Sequence, residues 1–480
     1  MTRNGSITRR SLGVAATVLV ALASSSAAVA EAAPQPDARP NIVVFMTDDQ
    51  NVSSLTVMPN VKALLANAGT TFANNFVSYP LCCPSRATYL TGQYPHNHGV
   101  MNNALPDGGY YRLRGDETLP VWLRRARYET AHIGKYLNGY GTQNPLEIPP
   151  GWGEWYGSVD PSTYRMWGYT LNENGTLVTY GQDDVEDPAL YQTDVYARKA
   201  VDYINRKAPG DKPFFLSVAP LAPHQEIGWA ATHGNRNPRP APRHRGAFAD
   251  APLPMPLSFN EANVSDKPAH IRALPLLDTA AIAQITRTYR SRLESLLAVD
   301  EAVKSIVDTL TALGELDRTL FVFTSDNGWL QGEHRIPSGK IHPYEESIRV
   351  PLIMRGPGVP ANSTSTVLAG NIDLAATVVA AAQAVPGIVV DGRSLLGTTP
   401  GRSALLVESG PRTDGSRWYA AIRTARFVYV EHSTGERELY DLSIDPFQML
   451  SRHNDLAYAQ VRAALAEQLH RLQACAGQTC

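Results

Sequence analysis

Asn41-Ile42-Val43-Val44-Phe45-Met46 is a short apolar run that ends in Thr47-Asp48-Asp49-Gln50. A continuous apolar run of this length predicts a strand that is buried on both faces, as in a parallel sheet. Three later runs, beginning at Thr130, Phe214 and Leu320, also end in polar motifs. Ligands of α/β proteins bind beyond the carboxyl ends of the strands. We therefore expect these polar ends to form one site.

Helical patterns lie between the predicted strands. The clearest runs from Ala280 to Leu313 and stops at Gly314, a C-cap signal. Strands that alternate with helices predict an α/β fold. From Arg402 onward, short alternating apolar runs predict a small antiparallel sheet, which a helix over residues 457–472 would cover.

The first forty residues predict an export signal. Three arginines precede an apolar stretch from Leu12 to Ala23, and Ala28-Val29-Ala30 fits a cleavage site. Thr8-Arg9-Arg10-Ser11-Leu12 fits a twin-arginine signal, although the general secretory route stays open. The apolar run is too short to favour a stable membrane anchor, and the net charge of -2 gives no electrostatic case for nucleic-acid binding. We expect a secreted or otherwise extracytoplasmic protein.

Cys82-Cys83-Pro84-Ser85-Arg86 is the most distinctive motif in the chain. Pro84 suits the first turn of a helix, so Cys82 is expected at a helix N-terminus, which favours an anion. A buried cysteine pair beside a helix start is the plainer interpretation. In an exported chain, Cys475 and Cys480 are expected to form a disulfide.

Asp48-Asp49 and Asp326-Asn327 follow two of the predicted strands. Adjacent carboxylates repel, so a buried pair needs a cation or a proton. Ligation by oxygen atoms favours Ca²⁺ or Mg²⁺ over zinc. Both pairs are also common turn sequences, and this alternative stays open.

A proline- and arginine-rich region from His233 to Pro275 has no helical or strand period. A loop of this length in a compact domain is usually functional, so a lid or a substrate wall is one interpretation. A solvated surface insertion is the other.

In this order along the chain, the motifs resemble those of the sulfatase family, in which the first cysteine of the Cys-x-Pro-Ser-Arg motif is oxidised to formylglycine. The likeness covers nearly all of the chain after residue 40. The segments that carry it are Thr47 to Gln50, Cys82 to Arg86, Gly134-Lys135, Pro223-His224, Ser325 to Gly328, Gly339-Lys340 and Leu439 to Pro446. Cys82 to Ala87, Thr91 to His98 and Gly134 to Asn138 are closest to the N-acetylglucosamine-6-sulfatase subgroup.

The resemblance implies an alkaline-phosphatase-like fold, in which helices flank a large, mixed, mostly parallel sheet beside a smaller C-terminal antiparallel sheet. It divides the chain into a signal peptide (1–30), a spacer (31–39), a catalytic domain (40–400) and a small C-terminal subdomain (401–480). A formylglycine-generating enzyme would modify Cys82. The implied metal ligands, for Ca²⁺ or alternatively Mg²⁺, are Asp48, Asp49, Asp326, Asn327 and the formylglycine at position 82.

The resemblance also implies roles for the cationic residues. Lys135, His224 and Lys340 would hold the sulfate or the leaving oxygen, and Arg86 would orient the aldehyde hydrate. One hydroxyl of that hydrate would attack sulfur, His224 would protonate the leaving oxygen, and the second hydroxyl would let the aldehyde reform as sulfate departs. Many arylsulfatases have a histidine where this chain has Leu137, which favours the glucosamine subgroup.

The expected reaction is removal of sulfate from a sulfated sugar, and the first choice is N-acetylglucosamine 6-sulfate of glycosaminoglycan-type glycans. His98, after the predicted catalytic helix, is a candidate for binding sugar hydroxyls. The alternatives are a broad arylsulfatase acting on aryl sulfates, a phosphonate or phosphodiester hydrolase of the same fold, and a non-catalytic protein that binds sulfated glycans.

Overall fold

The computed structural model describes residues 1–8, 11–13, 37–227, 236–397, 401–415 and 418–480. The chain divides into two units, Met1–Gln35 and Pro36–Cys480. Most of the predicted signal peptide and spacer lies outside the described residues. None of the helices in the described ranges is both long enough and apolar enough to cross a membrane.

The run that begins at Asn41 forms a strand at the centre of a ten-stranded sheet. The strands are β1 (Asn41–Thr47), β2 (Thr70–Phe76), β3 (Glu129–Gly134), β4 (Glu154–Ser158), β5 (Tyr169–Glu173), β6 (Thr176–Tyr180), β7 (Phe214–Ala219), β8 (Thr319–Ser325), β9 (Leu352–Arg355) and β10 (Ser363–Gly370). Their order in the sheet is β10-β2-β9-β8-β1-β7-β3-β4-β5-β6. The five central strands, from β8 to β4, are parallel, whereas β9, β5 and β6 pair antiparallel with their neighbours. The α/β fold with a mixed, mostly parallel sheet is confirmed.

Helices cover both faces of this sheet. The α-helices among the described residues are α1 (Cys82–Thr91), α2 (Pro95–His98), α3 (Leu119–Arg125), α4 (Gln192–Lys207), α5 (Ala269–Arg272), α6 (Thr279–Ala312), α7 (Glu345–Ile348), α8 (Ile372–Ala382) and α9 (Ala459–Leu472). Val43 and Phe45 pack with the apolar stripes of α4 and α6. Ile42, Val44 and Met46 pack on the other face with α1, α3 and α8. This alternation is why β1 reads as one continuous apolar run.

The C-terminal part contains a second, four-stranded antiparallel sheet in the order β11-β12-β13-β14. Its strands are β11 (Ala404–Ser409), β12 (Tyr419–Thr424), β13 (Phe427–His432) and β14 (Arg437–Asp441). Helix α9 packs on this sheet through Leu465, Leu469 and Leu472. It begins two residues later than predicted, because Leu456–Tyr458 forms a separate 3₁₀ turn that the Asp455 side chain caps. Both sheets lie in the unit that spans residues 36–480, and the boundary at residue 400 stays a prediction.

Candidate active site

The polar residues at the carboxyl ends of the central strands meet in one buried cluster. Asp48 and Asp49 follow β1, and Asp326 and Asn327 follow β8, its direct neighbour. All four side chains are fully buried. The backbone N–H of Asp49 donates to Oδ1 of Asp326 at 3.1 Å, and Nδ2 of Asn327 donates to Oδ1 of Asp49 at 2.6 Å. The parallel pairing of β1 and β8 therefore brings together carboxylates that are far apart in sequence.

Helix α1 carries the cysteine motif into this cluster. It begins at Cys82, because Leu81 has an extended conformation and its carbonyl accepts a hydrogen bond from the Ser85 N–H at 3.0 Å. It ends at Gly92, which adopts the left-handed conformation (φ 65°) that glycine tolerates best. Oγ of Ser85 donates to the Asp326 carbonyl and accepts from Nδ2 of Asn371 at 2.9 Å. Ser85 thereby fixes the start of the helix against the loop that follows β8.

The thiol of Cys82 lies among charged groups. Nζ of Lys340 is 2.8 Å from its Sγ, and Oδ1 of Asp48 is 3.6 Å away. Burial, reinforced by the Asp48 carboxylate, raises the pKa of the Cys82 thiol to about 12. An unmodified Cys82 would therefore be protonated at neutral pH, and a thiol is a much poorer nucleophile than a thiolate.

Four cationic or titratable side chains surround the carboxylates. Lys135, after β3, pairs with Asp48, and Lys340 pairs with Asp49. Nε of Arg86 donates to Oδ2 of Asp326 at 2.8 Å, and Nε2 of His224 lies 3.5 Å from Oδ2 of Asp49. The structure thus places Arg86, Lys135, His224 and Lys340 in one site with Cys82.

The ionisation states follow from these contacts. Burial alone would raise the pKa of Asp48, but Lys135 and His224 outweigh it and hold that pKa at about 2. Burial alone would lower the pKa of Lys135, yet the Asp48 carboxylate raises it well above its ordinary value. Burial lowers the pKa of His224, although Asp49 and Asp48 oppose this shift. At neutral pH the site therefore holds charged carboxylates and ammonium groups beside a mostly neutral imidazole.

The donor atoms of this cluster suit a hard divalent cation. Ligand atoms of Asp48, Asp49, Cys82 and His224 all lie within 4.8 Å of one another. Oδ2 of Asp49 and Oδ1 of Asn327 are buried and accept no hydrogen bond from any described residue. Buried oxygens normally have a partner, and a metal ion could be the partner of these two. Asp326 differs, because its two oxygens already accept from Asp49 and Arg86.

His98 is not brought into this cluster. Its Nε2 contacts Oγ1 of Thr88 at 3.1 Å, and its Nδ1 accepts from the Val100 N–H at 3.1 Å. Burial lowers the pKa of His98 to about 3, so the ring is neutral. Both nitrogens support the turn after α1, and we therefore leave His98 out of the site proposed below.

Three residues of the site escaped the sequence analysis. Nη1 of Arg292 donates to the Pro223 carbonyl at 3.0 Å, and its Nη2 donates to the Asp49 carbonyl. The Tyr164 ring lies 4.8 Å from Nζ of Lys135, and its centroid is 5.2 Å from that of His224. Trp329 lies 5.9 Å from Nζ of Lys340. Only Arg292 left a signal: it occupies the buried face of α6, seven residues after Ile285, where a charged residue is unexpected.

The chain is similar to known proteins over nearly its whole length. The family model "Sulfatase" matches residues 40–384, and the model "N-sulphoglucosamine sulphohydrolase, C-terminal" matches residues 332–475. An arylsulfatase of Volvox carteri is 34% identical over 96% of this chain and 78% of its own length. An N-acetylglucosamine-6-sulfatase of Homo sapiens is 33% identical over 92% of this chain and 86% of its own. A protein solved in complex with its substrate D-glucosamine-2-N,6-O-disulfate superposes with a TM-score of 0.74 at 26% identity, covering 91% of this chain and 97% of that one.

Proposed function

Because the chain belongs to the sulfatase family of enzymes, we propose that it removes the 6-sulfate from N-acetylglucosamine 6-sulfate in glycosaminoglycan-type glycans. The observation that carries this proposal is the convergence of Cys82, two carboxylates and His224 within 4.8 Å, with Lys340 against the sulfur. The sugar is proposed from the human relative, which is an N-acetylglucosamine-6-sulfatase. The arylsulfatase of Volvox carteri supports a second candidate substrate, a small aryl sulfate.

We assign the nucleophile to position 82. The high pKa of the unmodified thiol favours a modified residue as the nucleophile at this position, because a protonated cysteine would be a poor nucleophile there. In sulfatases this cysteine is converted to formylglycine, and the hydrate of that aldehyde, a geminal diol, would be the nucleophile. Nε of Arg86 is fixed by Asp326, and its Nη1 donates to the Lys135 carbonyl at 2.7 Å. Arg86 therefore fixes the position of the start of α1 relative to the end of β3.

We propose that a divalent cation, Ca²⁺ or Mg²⁺, is bound by Asp48, Asp49, Asp326, Asn327 and the group at position 82. The unpartnered oxygens of Asp49 and Asn327 support this ligand set. The cation would supply Lewis-acid polarisation of the sulfate. Asp326 already accepts from Arg86, so its charge would be shared between Arg86 and the cation.

Lys135 and Lys340 would bind the sulfate oxygens, because Lys340 lies against the sulfur of Cys82 and Lys135 pairs with Asp48, whose Oδ1 is 3.6 Å from that sulfur. A sulfate ester carries one negative charge, and more charge develops on the bridging oxygen as the S–O bond breaks. Fixed cations in a buried site stabilise that charge without having to reorganise. The Tyr164 ring contacts Lys135 and His224, so it keeps both side chains in place.

His224 would protonate the leaving sugar oxygen through Nε2. Its Nδ1 lies 2.6 Å from the Gln225 carbonyl and donates to it, so the second proton of the imidazolium resides on Nε2, the atom that faces the carboxylates. The low pKa of the ring makes this proton easy to release once a bound sulfate has favoured the charged form. We further propose export of the mature enzyme, on the strength of the signal features in the first thirty residues.

The proposal is tested by measuring sulfate release from N-acetylglucosamine 6-sulfate, 4-nitrophenyl sulfate and a phosphodiester, together with the mass of the tryptic peptide that contains Cys82. We expect an aldehyde at Cys82 and the highest kcat/KM on the sugar. Cys82→Ser should still bind the sugar but turn over little. Cys83→Ala is the matched control and should keep most activity, because the buried Cys83 side chain packs among apolar residues. A clear phosphodiester preference, or wild-type turnover by Cys82→Ser, would overturn the proposal.

A further inference from the structure

A cavity of about 540 Å³ adjoins the proposed active site. Gln225, Trp329 and Ser338 belong to its lining. Gln225 directly follows His224, Trp329 lies beside Lys340, and Ser338 precedes Lys340 by two residues. A ligand with its sulfate at the catalytic cluster would thus extend into this cavity. The volume is typical of a small-molecule site.

One wall of this cavity carries an arginine whose charge is not balanced. The structure describes five arginines of the region that was predicted to be a loop, and four of them form ion pairs. Arg239 pairs with Glu226 and Asp183, Arg243 with Asp194 and Glu301, Arg245 with Glu186, and Arg272 with Glu436. Arg236 lines the cavity, and its guanidinium has no carboxylate partner among the described residues. Of these five arginines, Arg236 is the one left to bind an external anion.

The same wall holds two polar atoms without partners. Nε1 of Trp329, a donor, and Oε1 of Gln331, an acceptor, are buried and make no hydrogen bond to any described residue. Leaving such a group unsatisfied costs about 1–3 kcal/mol. A buried polar group normally has a partner, so each of these atoms needs one, such as an ordered water or a bound ligand. The wall therefore offers a cation, a donor and an acceptor beside an indole ring, a combination suited to an anionic sugar.

We propose that this cavity is a second anion-binding subsite, in which Arg236 pairs with a sulfate or carboxylate that the substrate carries in addition to the sulfate being removed. This inference rests on the proposed function, since it takes the sulfated sugar to be the substrate. A planar guanidinium matches both kinds of anion with two parallel hydrogen bonds. The preferred substrate is then at least dianionic, and Arg236 determines that preference.

The test compares three substrates of the full enzyme. N-acetylglucosamine 6-sulfate provides the single-anion reference. Glucosamine-2-N,6-O-disulfate adds a sulfate, and N-acetylglucosamine 6-sulfate linked to a hexuronic acid adds a carboxylate. We expect Arg236→Gln to lower kcat/KM by about tenfold to a hundredfold on one or both dianionic substrates, mainly through KM, and by less than about twofold on the reference. The dianionic substrate that is affected identifies the anion.

Two variants serve as controls. Arg236→Lys should keep part of the preference, because it retains the charge but loses the planar pair of donors. Arg245→Gln removes an exposed arginine of the same region that pairs with Glu186, and it should leave the preference unchanged. Equal losses on all three substrates, or none on any, would overturn the subsite. If the wild-type enzyme hydrolyses an aryl sulfate but none of the three sugars, the proposed function itself is wrong and the subsite falls with it.

Discussion

Replacing Lys135 by methionine tests whether a buried cation drives the reaction. The substitution keeps most of the unbranched side chain and removes its charge. Lys135 pairs with Asp48, and both side chains are almost wholly buried, at 3% and 0% exposure. Two unit charges about 4 Å apart interact with about 4 kcal/mol at an effective dielectric constant of 20. Breaking a buried pair from one side typically costs about 3–5 kcal/mol.

Part of this loss will be offset, because Nη2 of Arg86 lies 3.6 Å from Oδ2 of Asp48 and remains in the variant. We therefore expect Lys135→Met to lower the free energy of unfolding by about 3 kcal/mol. The lost stabilisation of developing charge should lower kcat/KM for the sulfate ester by about a hundredfold to a thousandfold. Urea melts measure the first quantity, and initial rates well below the melting temperature measure the second.

Lys199→Met is the matched control, because Lys199 has the same kind of partners outside the site. Its Nζ lies 2.8 Å from Oε1 of Glu173 and 4.7 Å from the centre of the Tyr156 ring. This pair is partly exposed, so its loss should cost about 1 kcal/mol at most and leave kcat/KM within about twofold. If Lys135→Met stays folded and keeps kcat/KM within about fivefold of the wild type, Lys135 does not stabilise the transition state and our assignment is wrong.

Three further predictions concern protonation and metal binding. His224→Asn should lower kcat/KM about a hundredfold or more on the sugar sulfate but less than about tenfold on 4-nitrophenyl sulfate, whose leaving group needs no proton; equal losses on both would exclude His224 as the acid. Burial and Arg86 lower the pKa of His132 from 6.5 to about 3. Below pH 6.5, His132 is therefore protonated in the unfolded chain but stays neutral in the native state down to about pH 3. The free energy of unfolding falls as the pH is lowered through this range. His132→Phe should remove about 2 kcal/mol of the loss between pH 7 and pH 5 in urea melts, and an unchanged loss would show that His132 does not titrate in this way. When calcium is added back to the chelator-treated protein at a hundred times its Kd, the free energy of unfolding of the wild type should rise by about 2.7 kcal/mol. Asp49→Asn should lose most of this gain. An equal gain in both proteins would place the metal elsewhere.

The central strands could be predicted from the sequence because both of their faces are buried. Every residue of β1 and β8 is buried, and the middle of each strand is an unbroken apolar run, so each run and its polar end stand out. Strand β6 could not be found this way, because it is largely exposed and its sequence Thr-Leu-Val-Thr-Tyr carries no buried pattern. The length of α6 was predicted to within one residue at each end, since its stripe and its stop at Gly314 are both local signals.

The members of the proposed site were predictable only where a local motif marks them. Asp48 and Asp326 stand at strand ends, and Cys82 stands at a helix start. The roles of Tyr164 and Trp329 depend instead on contacts with Lys135 and Lys340, which are distant in sequence. The sugar contact of His98 stays a prediction: its position after α1 favoured that contact, and in the fold both ring nitrogens make contacts within the turn. Such assignments depend on tertiary packing, which spacing along the chain does not encode.

The burial of Cys82 determines when the proposed oxidation of its side chain could take place. The side chain is 1% exposed, and the start of α1 is held against the loop after β8 by Ser85 and Asn371. A protein catalyst cannot enclose a residue in that position, so any oxidation of Cys82 by another enzyme has to occur on the newly made, still unfolded chain. On the proposed mechanism, a molecule that folds before Cys82 is oxidised would keep its thiol and stay inactive. Export in a folded state would then require the oxidation to take place inside the cell, before the chain folds.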